Sequence, residues 1–149
     1  MRNFFNAGML LFAGAMLFVS CGGDKETTST AVDSLALSYT VINTLPHNGE
    51  AFIQGLVIHK NKILESTGQH GTSWIAEVNP ASGAHDKKII LEDRFFGEGI
   101  TVLNNKIYQL TWKEKTGFIY DAITYKKTGE FAYTSQGWGI THDGVNLIM

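Results

Sequence analysis

Past residue 50, apolar and polar positions alternate within a unit that recurs along the chain. "QGLVIHKNKILEST" (Gln54 to Thr67), "EGITVLNNKIYQLT" (Glu98 to Thr111) and "WGITHDGVNLIM" (from Trp138) align as three copies. Each has a glycine, an alternating apolar strand, a polar turn and a second strand, marked by Ile63-Leu64, Ile107-Tyr108 and Leu147-Ile148. Alternation at period two is the mark of a strand with one buried face. Between the copies, "TSWIAEVNPASGAHDKKIIL" and "KTGFIYDAITYKKTGEFAYT" each predict a strand, a turn closing on Ser82-Gly83 or Thr128-Gly129, and another strand. Within the first of these, "NPASGAHDKK" reads as a loop with charged ends. The pattern is all-β, with four strands per unit.

The repeat length sharpens the class. Gly55 to Gly99 is a step of 44 residues and Gly99 to Gly139 one of 40, the spacing of β-propeller blades. Residues 39–149 hold about two and a half such blades, fewer than a closed propeller has. The chain also stops on the apolar strand "NLIM", so it reads as the N-terminal part of a longer propeller. Sixteen glycines, nine Phe, five Tyr and three Trp against two prolines fit short strands joined by tight turns. With 44% hydrophobic and 17% charged residues the chain is too apolar for intrinsic disorder. A net charge of −2 and no Lys/Arg run longer than two residues leave no footprint for nucleic acid.

The N-terminus follows a different pattern. Arg2 precedes the apolar run "FFNAGMLLFAGAML", and "FVSCGG" follows with small residues. Residues 1–20 read as a secretory signal, and the run resembles a bacterial lipoprotein signal with its lipobox. Phe4 to Ser20 is short of the roughly 20 residues that span a bilayer. Cys21, the only cysteine, becomes the first mature residue and the expected lipidation site. Residues 21–38 are polar and small, as a flexible tether between lipid and domain should be. An exported lipoprotein, anchored to membrane and facing periplasm or cell surface, is the expected product, and a monomer is its expected state.

The chemistry centres on "FFGEGI", where Glu98 lies between two glycines and after two phenylalanines. Charged side chains seldom take apolar neighbours without a partner or a task. The residue before the repeated glycine is Gln54, then Glu98, then Trp138, with Phe52 and Phe96 two positions earlier in the first two copies. Equivalent positions of a propeller converge near its axis, so these side chains can share one aromatic-walled pocket for a small ligand. His47, His59, His70, His85 and His142 lack the local spacings of zinc sites, and no metal-ligand cluster is expected. No nucleophile elbow, Walker A loop or dinucleotide fingerprint is present, and no cofactor is expected.

"LPHNGEAFIQGLVI", "ILESTGQHG", "FFGEGITVLNNKIYQLTW", "TGFIYD" and "GWGITHDG" together resemble the plant- and bacterial-type glutaminyl-peptide cyclotransferases, from about Val41 to Met149. The resemblance implies a five-bladed propeller and an acyltransferase that converts the N-terminal glutamine of peptides or proteins to pyroglutamate with loss of ammonia, without a catalytic metal. It also implies that Glu98 is the acid/base glutamate and that Phe52, Gln54, Phe96, Trp112 and Trp138 bind substrate. Further pocket residues of the family lie in later blades.

Those residue types suit the reaction. The glutamine α-amine attacks its own Cδ, so the enzyme has mainly to fold the substrate, move protons and steady the oxyanion. One carboxylate can take the proton of the attacking amine and return it to the leaving nitrogen. Aromatic surroundings should raise the Glu98 pKa toward the working pH by desolvation. The other reading is a non-catalytic surface propeller that binds peptides or glycans, which needs no proton shuttle in its pocket.

Overall fold

Two of the predicted turns show why the strands form where they do. Lys60 and Asn61 (φ 49° and 62°) join β1 (Ile53–His59) to β2 (Lys62–Thr67), and Asn104 and Asn105 (φ 51° and 57°) join β5 (Gly97–Leu103) to β6 (Lys106–Thr111). Positive φ at both central residues is the mark of the type I′ turn, whose twist matches that of a hairpin, and asparagine tolerates it. The remaining strands are β3 (Trp74–Val78), β4 (His85–Ile90), β7 (Thr116–Asp121), β8 (Lys127–Ala132), β9 (Thr141–His142) and β10 (Leu147–Ile148). The computed structural model describes residues 37–149, so the expected signal, Cys21 and nearly all of the tether lie outside the described residues.

Within the unit Thr40–Met149, the strands form two four-stranded antiparallel sheets, β1-β2-β3-β4 and β5-β6-β7-β8, and a two-stranded sheet of β9 and β10. This is the expected four strands per repeat, twice over, with the third repeat begun. Among the described residues all regular structure is β-strand, and no helix is long and apolar enough to cross a membrane. The strand β1 lies against β5, and β5 against β9, so the first strands of successive units are neighbours.

The core fills the space between the two large sheets. Leu64 and Ile75 of the first sheet meet Ile100, Val102, Ile107 and Phe118 of the second, with Leu91, Phe95, Tyr120 and Tyr125 completing the cluster. Polar bonds cross the same interface: Gln109 Nε2 donates to Ser66 Oγ at 2.8 Å and the Tyr125 hydroxyl donates to Glu77 Oε2 at 2.9 Å. Alternation along β2 sends Leu64 and Ser66 toward the second sheet and Glu65 to the opposite face.

Two local expectations differ from the structure. The turn between β7 and β8 falls at residues 122–126, and Thr128-Gly129 lies inside β8. Asp121 makes that turn by accepting from the backbone N–H groups of Ile123 and Thr124 and from the Thr124 hydroxyl. Tyr125 takes the left-handed position (φ 61°) that Gly83 (φ 70°) takes in the first sheet, which hid the turn from a search for glycine. In "NPASGAHDKK" only the first six residues are loop, and from His85 onward the stretch pairs as β4.

Candidate active site

Glu98 stands in a β-bulge. Gly97 pairs with Thr111 and Ile100 with Gln109, so Glu98 and Gly99 together oppose a single residue. The equivalent irregularity in β1 leaves Gln54 as the extra residue between Ile53, paired with Thr67, and Gly55, paired with Ser66. Bulges break the in-and-out alternation and re-aim a side chain, and here they do so at the same place in successive sheets. The backbones also come close: a Cβ on Gly55 would lie 2.7 Å from the Ile100 nitrogen, and one on Gly99 would lie 2.5 Å from the Trp138 carbonyl oxygen. Only glycine permits this approach, and the Gly99 N–H donates to that Trp138 oxygen at 2.7 Å. The repeated glycine therefore serves as the spacer between neighbouring first strands.

The electrostatics of Glu98 follow from its place. It is 3% exposed, and burial holds its pKa above the ordinary carboxylate range because the charged form loses hydration. A hydrogen bond from the Gln54 side chain works in the other direction, and the negative charge of Glu114 raises the pKa further. The net effect is upward.

The predicted aromatic residues form one edge-to-face series. Phe52 meets Phe96 with ring centroids 6.2 Å apart, Phe96 meets Trp112 at 5.5 Å, and Trp112 meets Trp138 at 5.9 Å. Such pairs favour offset or T-shaped contact. The repeat sets their positions: Phe52 O accepts from the Gly68 N–H, and Phe96 O accepts from the Trp112 N–H, each at 2.9 Å. Gly68 and Trp112 are thus counterparts, and the absence of a side chain at Gly68 makes room for the Phe96 ring, which would lie 2.3 Å from a Cβ there. Phe52 and Trp138 are exposed, while Phe96 and Trp112 are partly buried between them. All six residues named from the sequence in this region are brought together.

Other side chains join them that the sequence did not single out. Glu114 accepts from the Phe96 N–H at 3.4 Å and lies 4.0 Å from His70 Nε2, and the His70 ring packs on Phe96 at 5.6 Å. Lys113 Nζ stands 3.8 Å from the centre of the Trp112 ring, whose Nε1–H donates to Gln136 at 3.0 Å. Tyr133 donates to the Thr111 carbonyl and accepts from the Thr111 N–H, and burial raises its pKa with small additions from Glu114 and Glu98. The signal available for Glu114 was its place two residues after Trp112, which has no meaning until the bulge on β5 is known.

The histidines require a correction. The expectation of no ligand cluster rested on local spacing, yet the fold brings His47 and His85 to Glu65, with their ligand atoms all within 4.8 Å of one another. They lie on three separate segments, so no short motif could reveal them.

Antiparallel four-stranded units laid side by side on their first strands define a propeller-like fold, with a buried carboxylate and an aromatic wall where those strands meet. The model of the glutamine cyclotransferase family matches residues 10–149, and the chain belongs to that family. It is 36% identical over 109 residues to a glutaminyl-peptide cyclotransferase of Arabidopsis thaliana, covering 72% of this chain and 34% of that protein. The crystal structure of a glutaminyl cyclase from Myxococcus xanthus superposes with a TM-score of 0.67 at 29% identity, over 72% of this chain and 45% of that one. The chain thus spans about a third of the length of the plant relative.

Proposed function

We propose that this chain supplies the proton-relay carboxylate and part of the substrate pocket of a glutaminyl-peptide cyclotransferase acting on peptides or proteins with an N-terminal glutamine. The observation that carries the reading is Glu98: a carboxylate 3% exposed, held by Gln54 at a bulge and adjoining a row of four aromatic rings, in a member of this family.

The reaction sets the roles. The α-amine of the substrate attacks its own side-chain carbonyl, forming the lactam C–N bond, and the tetrahedral intermediate collapses as the bond to the amide nitrogen breaks and ammonia leaves. Glu98 as carboxylate takes the proton shed by the attacking amine. As carboxylic acid it returns that proton to the departing nitrogen, so no net proton is consumed. Its raised pKa brings it closer to neutrality, where a single group serves both duties best. Phe52, Phe96, Trp112 and Trp138 provide apolar walls that favour the compact, curled substrate over the hydrated extended one. Gln54 has both a donor and an acceptor, so it can orient the carboxylate and still meet the substrate amide.

The proposal extends to the cell. Cleavage before Cys21 and lipidation of its thiol would anchor the domain to a membrane outside the cytoplasm, with residues 22–38 as tether. The lipobox-like sequence supports this part.

The test is release of ammonia from a Gln-led peptide by the natural full-length protein and by its Glu98→Gln variant. We expect the variant to bind the peptide but to lose turnover by about 10²- to 10⁴-fold, the usual worth of a positioned acid/base. Equal turnover would remove Glu98 from the mechanism, and peptide binding without turnover in the wild type would favour the non-catalytic propeller.

A further inference from the structure

Away from Glu98, a second built cluster occupies the opposite face of the first sheet. Glu65 is central on β2, facing away from the second sheet, and its side chain is only 3% exposed. His47 Nε2 lies 2.9 Å from its Oε1 and His85 Nε2 lies 3.3 Å from its Oε2. The lysines near this sheet do not serve it, since Lys62 and Lys87 pair with Glu77, which faces the other way with Leu64. Among the described residues, the only basic side chains within ion-pair distance of Glu65 are these two imidazoles. A carboxylate this buried needs a compensating positive charge.

Each ring is positioned by its surroundings. His85 is 9% exposed and packs on Trp74 with centroids 4.4 Å apart, and Lys88 Nζ caps the far ring at 4.5 Å. His47 belongs to the segment before β1. The β3–β4 turn presses against that segment, where a Cβ on Gly83 would lie 2.8 Å from the Pro46 carbonyl oxygen and 3.1 Å from the His47 Cα. His47 itself keeps 34% side-chain exposure, which leaves a path from solvent.

We propose that His47, Glu65 and His85 form a binding site for a divalent zinc-class cation, which fastens the segment before β1 to strands β2 and β4. Two imidazole nitrogens and one carboxylate are the donors that borderline ions prefer over magnesium or calcium, which take oxygen. Ligands about 2.0–2.2 Å from zinc in a tetrahedral site stand roughly 3.3 Å from one another. His47 and His85 stand 2.9 and 3.3 Å from the two Glu65 oxygens, at or just below that value, with the three ligand atoms all within 4.8 Å of one another, and His47, the exposed ligand, has room for the remaining adjustment. Three protein ligands leave a fourth position for water. The role is structural, because the reaction proposed for Glu98 needs no ion at this face.

The test is titration of the untagged full chain with zinc chloride by calorimetry, with cobalt chloride as a spectroscopic probe and magnesium chloride as control. One equivalent of zinc should bind, the melting temperature should rise and fall back with chelator, and cobalt should give the visible bands of a low-coordinate N/O site. His47→Ala and His85→Gln should each weaken zinc binding at least tenfold, while His59→Ala should not. Should His47→Ala fail to fold, His47→Cys retains a ligand and should add a thiolate-to-cobalt band in the near ultraviolet. Absence of stoichiometric binding in the wild type, binding unchanged in the histidine variants, or a cobalt spectrum of His47→Cys without thiolate ligation would overturn the assignment.

Discussion

Gln54 and Glu98 occupy the same bulge in successive sheets, and the amide of the first hydrogen-bonds the carboxylate of the second. That bond favours the ionised form against the burial that disfavours it. Removing it by Gln54→Leu should raise the Glu98 pKa further, so that the acidic limb of the kcat profile moves to higher pH. A pH–rate profile of ammonia release measures the shift, and an unmoved or lowered limb would contradict the role of the bond.

Burial of Glu98 also couples stability to pH. Because its pKa is raised in the folded state, that state binds the proton more tightly than the unfolded chain. Stability from this group therefore falls as pH rises from the ordinary carboxylate value of about 4.3 through the raised one. Glu98→Gln, neutral at every pH, should melt above the wild type at pH 7, and the gap should narrow toward pH 4. Thermal melts across that range decide it, and a variant that melts lower at neutral pH would show the carboxylate to be stabilising.

Gly68→Ala should test the aromatic series without touching a polar group. The added methyl meets the edge of the Phe96 ring at 2.3 Å, so the ring must turn away from Phe52 or Trp112. We expect the fold to persist and KM for a Gln-led peptide to rise about tenfold or more, as displaced positioning contacts commonly cost. Unaltered KM would mean that Phe96 does not touch substrate.

Gly99→Ala meets backbone instead, with the Trp138 oxygen 2.5 Å from the new methyl. Backbone cannot swing aside as a ring can, so the Gly99 to Trp138 hydrogen bond should break and β9 move away from β5. Increased protease cutting after residue 133 and a red-shifted tryptophan emission are expected, and an unchanged digestion pattern would argue against this spacing role.

Ile107 is fully buried between the sheets. Ile107→Ala should destabilise the fold by about 2–5 kcal/mol through lost transfer energy and the cavity left behind. Urea unfolding measures this, and a loss below about 1 kcal/mol would place Ile107 outside the cooperative core.

Cys21→Ser should shift the protein from the membrane fraction to the soluble fraction without altering ammonia release per molecule. Retention in the membrane would contradict lipidation of Cys21.

By itself the sequence determined the all-β class, the repeat and the shared position of Gln54, Glu98 and Trp138. Period-two alternation and the recurring glycine are local facts, and a repeat converts them into spatial equivalence. Even the hairpin turns were legible where asparagine stands at positive φ, as at Asn61 and Asn104. The tertiary structure decided what local spacing cannot carry. It placed Tyr125 in a left-handed turn position stabilised by Asp121 bonds, against the preference for glycine there. It brought Glu114 and His70 beside Phe96. It also assembled His47, Glu65 and His85 from a leading segment and two strands. His47 and His85 lie 18 and 20 positions from Glu65, one on a segment outside the sheet and the other on a strand two places across it from β2. Only the packing of that segment and the register of the strands, set by turns and bulges, say which ones meet.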